Sequence, residues 1–258
     1  MLHALAFDTK QFSIPDGIPT HIESSIARGL PELQPAICSH DGCMVIVGSG
    51  PSLADHVDDI KAERERGRPI WAVKGAHDWL MGHGVEPDVF LSIEPRDRRN
   101  NIQLVNDDTV YLLASRVCPE VFDHLSGNNV MIWHCASSDN ENAVLMKHRK
   151  YGIGGMSTSG LRAVHVGVHQ GYRNFVMYGM DSCNAPDGIT KRIDGSLTGQ
   201  QQDVIVGGRK FICNVAMAKQ AFDFQYLYAL LPGIHIDVKG DGLLAAINTQ
   251  RKKEGKPT

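Results

Sequence analysis

Apolar residues along this 258-residue chain come in short runs separated by polar segments with helical spacing, and the arrangement repeats. Met44, Val45, Ile46 and Val47 make the first run, which reads as a short buried strand. Residues 53–66 follow, with Leu53, Val57 and Ile60 at helical spacing over a charged outer face, and Gly67 closes them. The same alternation predicts strands over 69–73, 89–93, 110–114, 130–133, 175–177 and 234–238. It predicts helices over 76–82, 119–125, 161–169, 214–231 and 242–248. Strands and helices that alternate with short links imply an α/β, Rossmann-like fold, with a mostly parallel sheet and helices on both faces.

Several stretches depart from this rhythm. Residues 1–40 carry Pro15, Pro19, Pro31 and Pro35 with little periodicity, and read as an N-terminal extension wrapped on a main domain at 41–250, with one short helix near 20–28. The Ser-, Asp- and Asn-rich residues 137–142 read as a loop. Over 182–209 apolar spacing is lost; a structureless run of that length inside a compact domain is expected to be a lid or insertion over a site. Residues 251–258 form a charged tail, expected to fray.

Composition narrows the function classes. With 42% hydrophobic and 21% charged residues the chain is an ordinary globular one, and a net charge of −3 gives no bulk electrostatic case for nucleic acid or a membrane surface. The apolar runs are too short to span a bilayer, and residues 1–10 lack the layout of a signal peptide. Six scattered cysteines without a C-x-x-C pair argue for a reducing compartment and against structural zinc. The expectation is a cytoplasmic protein that handles small molecules, with homo-oligomer formation left open.

Candidate chemistry begins where the first strand ends. Gly48, Ser49, Gly50, Pro51 and Ser52 form a tight turn into a helix, a place where backbone N–H groups and the positive end of a helix dipole gather. Glycine there lets a phosphate approach the backbone, so the turn reads as an anion site for a nucleotide; the bland alternative is a tight turn without a ligand. A dinucleotide fingerprint is disfavoured, because Leu53 stands at its third glycine and Lys74, not an acid, ends the second strand. Lys74 is suited instead to a phosphate. No G-K-[ST] follows the glycines, and no G-x-S-x-G elbow supports serine hydrolysis.

Glu94 and Asp181 follow the third and sixth strands and therefore point to the rim that carries the glycine turn. Two carboxylates near a phosphate suit Mg²⁺, as metal ligands or as groups that orient an acceptor hydroxyl. Asp88 precedes its strand and reads as a structural cap. In a second glycine-serine turn over 154–160, Ser157, Thr158 and Ser159 stand at a helix start, fit either to cap it or to hold the far end of an elongated ligand. Among 12 histidines, His134 at the end of the fifth strand is the best placed for a catalytic role, whereas His165 and His169 read as a helix-surface pair. Arg96, Arg98 and Arg99 are a substrate clamp or a solvated face.

Taken together, VIVGSGPSL, GVEPDVFLSIEP, GGMSTSGL and FVMYGMDS resemble the MptE-like family, which is named for the archaeal 6-hydroxymethylpterin diphosphokinase and includes bacterial motility accessory factors. The likeness runs in order over residues 44–182. It implies a Rossmann-like sheet and a nucleotide-dependent transferase with a divalent metal. On that likeness Gly48, Gly50, Pro51 and Ser52 match the nucleotide turn, Asp88 and Glu94 the P-D…S-[IL]-[DE] segment, and Asp181 the G-x-D motif. Glu94 stands where aspartate is common, and Ser182-Cys183 replaces the usual apolar residue after G-x-D. The implied reaction moves diphosphate from ATP to a hydroxymethyl acceptor. Alternatives are sugar transfer from a nucleotide sugar and a non-catalytic nucleotide-binding module.

Overall fold

The computed structural model describes residues 17–258. The part of the expected extension before residue 17 lies outside the described residues. Seven parallel strands form the main sheet: β1 (Cys43–Val47), β2 (Ile70–Val73), β3 (Val89–Ser92), β4 (Val110–Ala114), β5 (Val130–Trp133), β6 (Asn174–Tyr178) and β9 (His235–Val238). The two remaining strands, β7 (Gln202–Val206) and β8 (Arg209–Cys213), make a separate antiparallel hairpin. Eight α-helices and two short 3-10 helices (Pro51–His56 and Arg99–Asn101) complete the described chain; the α-helices are α1 (Ile18–Ala27), α2 (Val57–Glu65), α3 (Ala76–Gly82), α4 (Pro119–His124), α5 (Asp139–Lys147), α6 (Ser159–His169), α7 (Val215–Leu230) and α8 (Leu243–Lys253).

Both faces of the sheet are buried, and alternate side chains show it. Met44 and Ile46 of β1, Trp71 and Val73 of β2, and Phe175 and Met177 of β6 join one core with Leu161 and Val164 of α6 and Phe224 of α7. Their neighbours Val45 and Val47, Ile70 and Ala72, and Val176 and Tyr178 join a second core with Ile60 of α2 and Leu80 of α3. Period-two alternation with apolar residues on both sides is what a parallel sheet covered by helices requires.

The strand order is β5-β4-β3-β2-β1-β6-β9. The chain steps outward from β1 to β5, then returns to lay β6 on the free side of β1, in register Val45↔Val176 and Val47↔Tyr178. That reversal is a topological switch point, and in open parallel sheets a crevice opens there beyond the carboxyl ends of the strands.

Four expectations need correction. Residues 53–66 do not form one α-helix: Pro51–His56 is a 3-10 helix and only α2 is α-helical. Pro51 starts the 3-10 turn, and Leu53 donates its N–H to Gly50, an i→i+3 bond. Residues 137–142 are not a loop throughout, because Ser138 caps α5: its hydroxyl oxygen accepts from the Glu141 N–H and its O–H donates to the Glu141 carboxylate. The run 182–209 is irregular only to about residue 201, where β7 begins. The last helix runs on to Lys253, and the tail folds back, with Arg251 Nε donating to the Pro257 carbonyl at 3.0 Å.

Candidate functional site

The carboxyl ends of β1, β2 and β6 wall a cavity of about 160 Å³ at the switch point. Gly48, Ser49 and Gly50 line it from β1, Lys74 from β2, and Gly179 to Cys183 from β6. Thr158 and Gly160 reach it from the start of α6, and Asn214, Met217 and Gln220 from the start of α7. Lys191 and Arg192 complete it from the irregular segment.

The glycine turn is held by the chain itself. Gly48 N–H donates to Tyr178 O at 2.8 Å and Gly50 N–H to Gly179 O at 2.8 Å. Ser52 N–H donates to Asp181 Oδ2 at 3.1 Å, and Pro51 has no N–H to offer. A Cβ on Gly50 would overlap Asp181 Oδ2 and stand 2.6 Å from Gly179 O. The glycines are therefore required by the close approach of β6 and its aspartate, and those amides are spent on the fold rather than left free for an anion.

Side-chain cations gather at the cavity instead. Lys74, Lys191, Arg192 and the nearby Arg98 form no ion pair among the described residues. Burial, and then the positive charges of Arg192, Arg96 and Arg98, lower the Lys74 pKa from 10.5 to about 8, against a raising influence from Glu94. An ammonium destabilised by neighbouring guanidinium groups marks a site short of negative charge. Lys74 also sits at φ 55, a left-handed conformation uncommon for a non-glycine residue. Ser182, at φ 53, shares that strain on the opposite wall.

Asp181 is the cavity's carboxylate. It is buried, and desolvation raises its pKa above the usual range despite the hydrogen bond from Ser52. Glu94 does not line the cavity. Its carboxylate is bound bidentately by Arg96, at 2.6 and 3.0 Å. Burial acts to raise its pKa, but the Arg96 contacts hold it below the ordinary value. Three strand spacings separate the ends of β3 and β6, roughly 14 Å, so the expected carboxylate pair is not brought together. Among the described residues no group of three or more His, Cys, Asp or Glu side chains is placed to hold a metal ion.

His134 lies elsewhere. It ends β5, four strand spacings from β1, roughly 19 Å away across the rim. There it is buried against Glu32, with Nε2 3.5 Å from Oε2, and desolvation lowers its pKa. The second turn divides its serines. Ser157 donates both its N–H and its hydroxyl to Asp223 of α7, which Lys219 also contacts at 3.0 Å. Thr158 caps α6 by accepting from Leu161 N–H, and Ser159 is buried within α6. Of these residues Thr158 lines the cavity. Asp88 is structural as expected, accepting from Ile70 N–H at 2.6 Å and meeting Arg64.

Lys191, Arg192, Asn214 and Gln220 went unread in the sequence. A Lys-Arg pair stranded in a run of Gly, Asp and Thr was the available signal. The segment is pinned in place: Ile193 N–H donates to Ser49 O at 3.0 Å, and Asn184 N–H to Ile212 O at 2.8 Å.

Comparison with known proteins agrees with this architecture. A family model described as "6-hydroxymethylpterin diphosphokinase MptE-like" matches residues 26–187. Among solved structures, the chain is similar to a MAf glycosyltransferase from Magnetospirillum magneticum AMB-1, with a TM-score of 0.66 and 16% identity. The match covers 87% of this chain and 37% of that one, so the chain spans well under half the length of that relative. No curated protein matches. No helix among the described residues is long and apolar enough to cross a membrane.

Proposed function

The chain belongs to the MptE-like family, and from that premise we propose that it is a nucleotide-dependent transferase that moves diphosphate from ATP to an acceptor hydroxyl. One observation carries the reading: Lys74, Lys191 and Arg192, which form no ion pair among the described residues, converge on a cavity at the sheet's switch point. A triphosphate is the nucleotide tail that best neutralises three such charges, and a cavity of about 160 Å³ suits phosphates rather than a whole nucleotide.

In this scheme the acceptor oxygen attacks the β-phosphorus of ATP. A new O–P bond forms, the bond from the β-phosphorus to the α,β-bridging oxygen breaks, and AMP leaves with that oxygen. Lys74, Lys191 and Arg192 hold the charge that develops on the phosphoryl oxygens. Asp181, with its raised pKa, takes the proton of the attacking hydroxyl, while the Ser52 N–H keeps its carboxylate oriented.

Incubation with ATP and 6-hydroxymethylpterin, followed by chromatography of nucleotides, is expected to give AMP in step with the pterin diphosphate. ADP, or no nucleotide product, sinks the proposal. The likeness to a glycosyltransferase fold supports a second reading, sugar transfer from a nucleotide sugar. That reading gains if nucleotide sugars are consumed while ATP is not.

A further inference from the structure

Lys74 stands apart from other lysines of the chain. Lys147, Lys150, Lys210 and Lys239 each hold a carboxylate: Glu23 at 2.7 Å, Glu32 at 2.6 Å, Asp203 at 2.7 Å and Asp237 at 2.7 Å. A carboxylate at that range favours the ammonium and so withholds the nitrogen lone pair. Lys74 forms no ion pair among the described residues. Glu94 is the carboxylate that acts on it, and Arg96 already binds both Glu94 oxygens, at 2.6 and 3.0 Å. Position adds to this. Lys74 follows β2 on the wall of the 160 Å³ cavity, and Lys191 and Arg192 belong to the same lining. An amine kept from carboxylates, beside cations fit to hold a phosphate, meets two needs of a lysine nucleophile: a populated neutral form and an anchored electrophile. With a pKa of about 8, roughly a quarter of Lys74 side chains are neutral at pH 7.5, against about one in a thousand for an ordinary lysine.

We infer that Lys74 is a modification site, acylated by small acyl phosphates whose phosphate group is held by Lys191 and Arg192. The Lys74 Nζ lone pair attacks the acyl carbon and an N–C bond forms. The C–O bond to phosphate breaks, and the amine's proton leaves with it as hydrogen phosphate, so no further reactant is needed. The cavity's size favours a short acyl group. The amide that results carries no charge, so acylation removes one of the cavity's cations and works against any phosphorylated ligand there. This inference does not require the transferase reading; it asks only for a bound phosphate group and an amine beside it.

The test incubates the full chain with acetyl phosphate at pH 7.5 and follows each lysine by peptide mass spectrometry. Lys74 is expected to react at least about tenfold faster than Lys147 or Lys239. Saturating inorganic phosphate should slow Lys74 about tenfold and leave those two within about twofold. Arg192→Gln, checked for fold by circular dichroism, should slow Lys74 by a similar factor, since it removes both a phosphate contact and a charge that disfavours the ammonium. The inference is overturned if Lys74 reacts no faster than Lys147, or if Lys191 takes the acetyl group instead. It is also overturned if phosphate slows all lysines alike or none, or if Arg192→Gln leaves the Lys74 rate unchanged. Selective, phosphate-sensitive acetylation in a protein that makes no AMP would remove the transferase reading and leave this site standing. AMP formation with unselective acetylation would do the opposite.

Discussion

The turns at 48–52 and 154–160 are written in almost the same letters, glycines followed by serine or threonine at a helix start, yet the molecule uses them differently. The first lines the cationic cavity, and its glycines are fixed by the backbone of β6 and by Asp181. The second is turned mostly inward. Ser157 is tied to Asp223 of α7, and a Cβ on Gly155 would come within 2.7 Å of the His165 ring. A run of small residues reports that something approaches the backbone closely. In both turns that something is first of all another part of this chain.

The comparison breaks most visibly at Gly50. Gly50→Ala forces its methyl into Asp181 and the Gly179 carbonyl, and should cost about 3 kcal/mol in urea denaturation together with nucleotide binding. A loss below about 1 kcal/mol would mean that the turn can open away from β6. Asp223→Ala should cost about 2 kcal/mol, since Ser157 and Lys219 lose a buried partner, but should leave ATP affinity within about twofold. A large affinity loss there would bring the second turn into the ligand site after all.

Lys74 sharpens the contrast through pH. Its folded pKa of about 8 lies below the ordinary 10.5, so between those values the unfolded state binds more protons. The ligand-free protein should therefore gain stability as pH rises through this window. ATP affinity should move the other way as the ammonium is lost, by about 1.5 kcal/mol, roughly tenfold. Lys74→Arg should flatten both trends, and parallel slopes of melting temperature and affinity would refute the assignment. Thr158→Ala should have the smallest effect, about 1 kcal/mol for loss of the α6 cap, read from thermal melts.

The sheet was legible because its strands are short, continuous apolar runs bounded by polar helices, a pattern few other folds produce. β4, β5 and α3 fall on the residues expected of them. Two of the misread elements have a signal in local hydrogen bonding rather than periodicity: the Ser138 cap of α5 and the 3-10 turn at Pro51. At the site, position along the rim was readable for Gly48, Lys74 and Asp181, which end β1, β2 and β6. Distance across the rim was not, because it depends on strand order. Sequence places Glu94 and His134 at strand ends without revealing that β3 and β5 stand two and four places from β1. Nor does sequence pair charges. That Lys191 and Arg192 form no ion pair among the described residues while Arg209 and Lys210 do follows from the hairpin and segment that carry them.

The segment just after α1 has a bearing on how copies of this chain meet. Ile132 of β5 donates its N–H to the Pro31 carbonyl and accepts from Leu33 N–H, both at 2.8 Å, so the outermost strand on that side is already hydrogen-bonded along its flank. At the opposite margin, Asp237 of β9 carries ion pairs to Lys239 and Lys252, and charge at such a border discourages strand addition. Among the described residues, self-association by running one sheet into the next is thus closed at one border and opposed at the other.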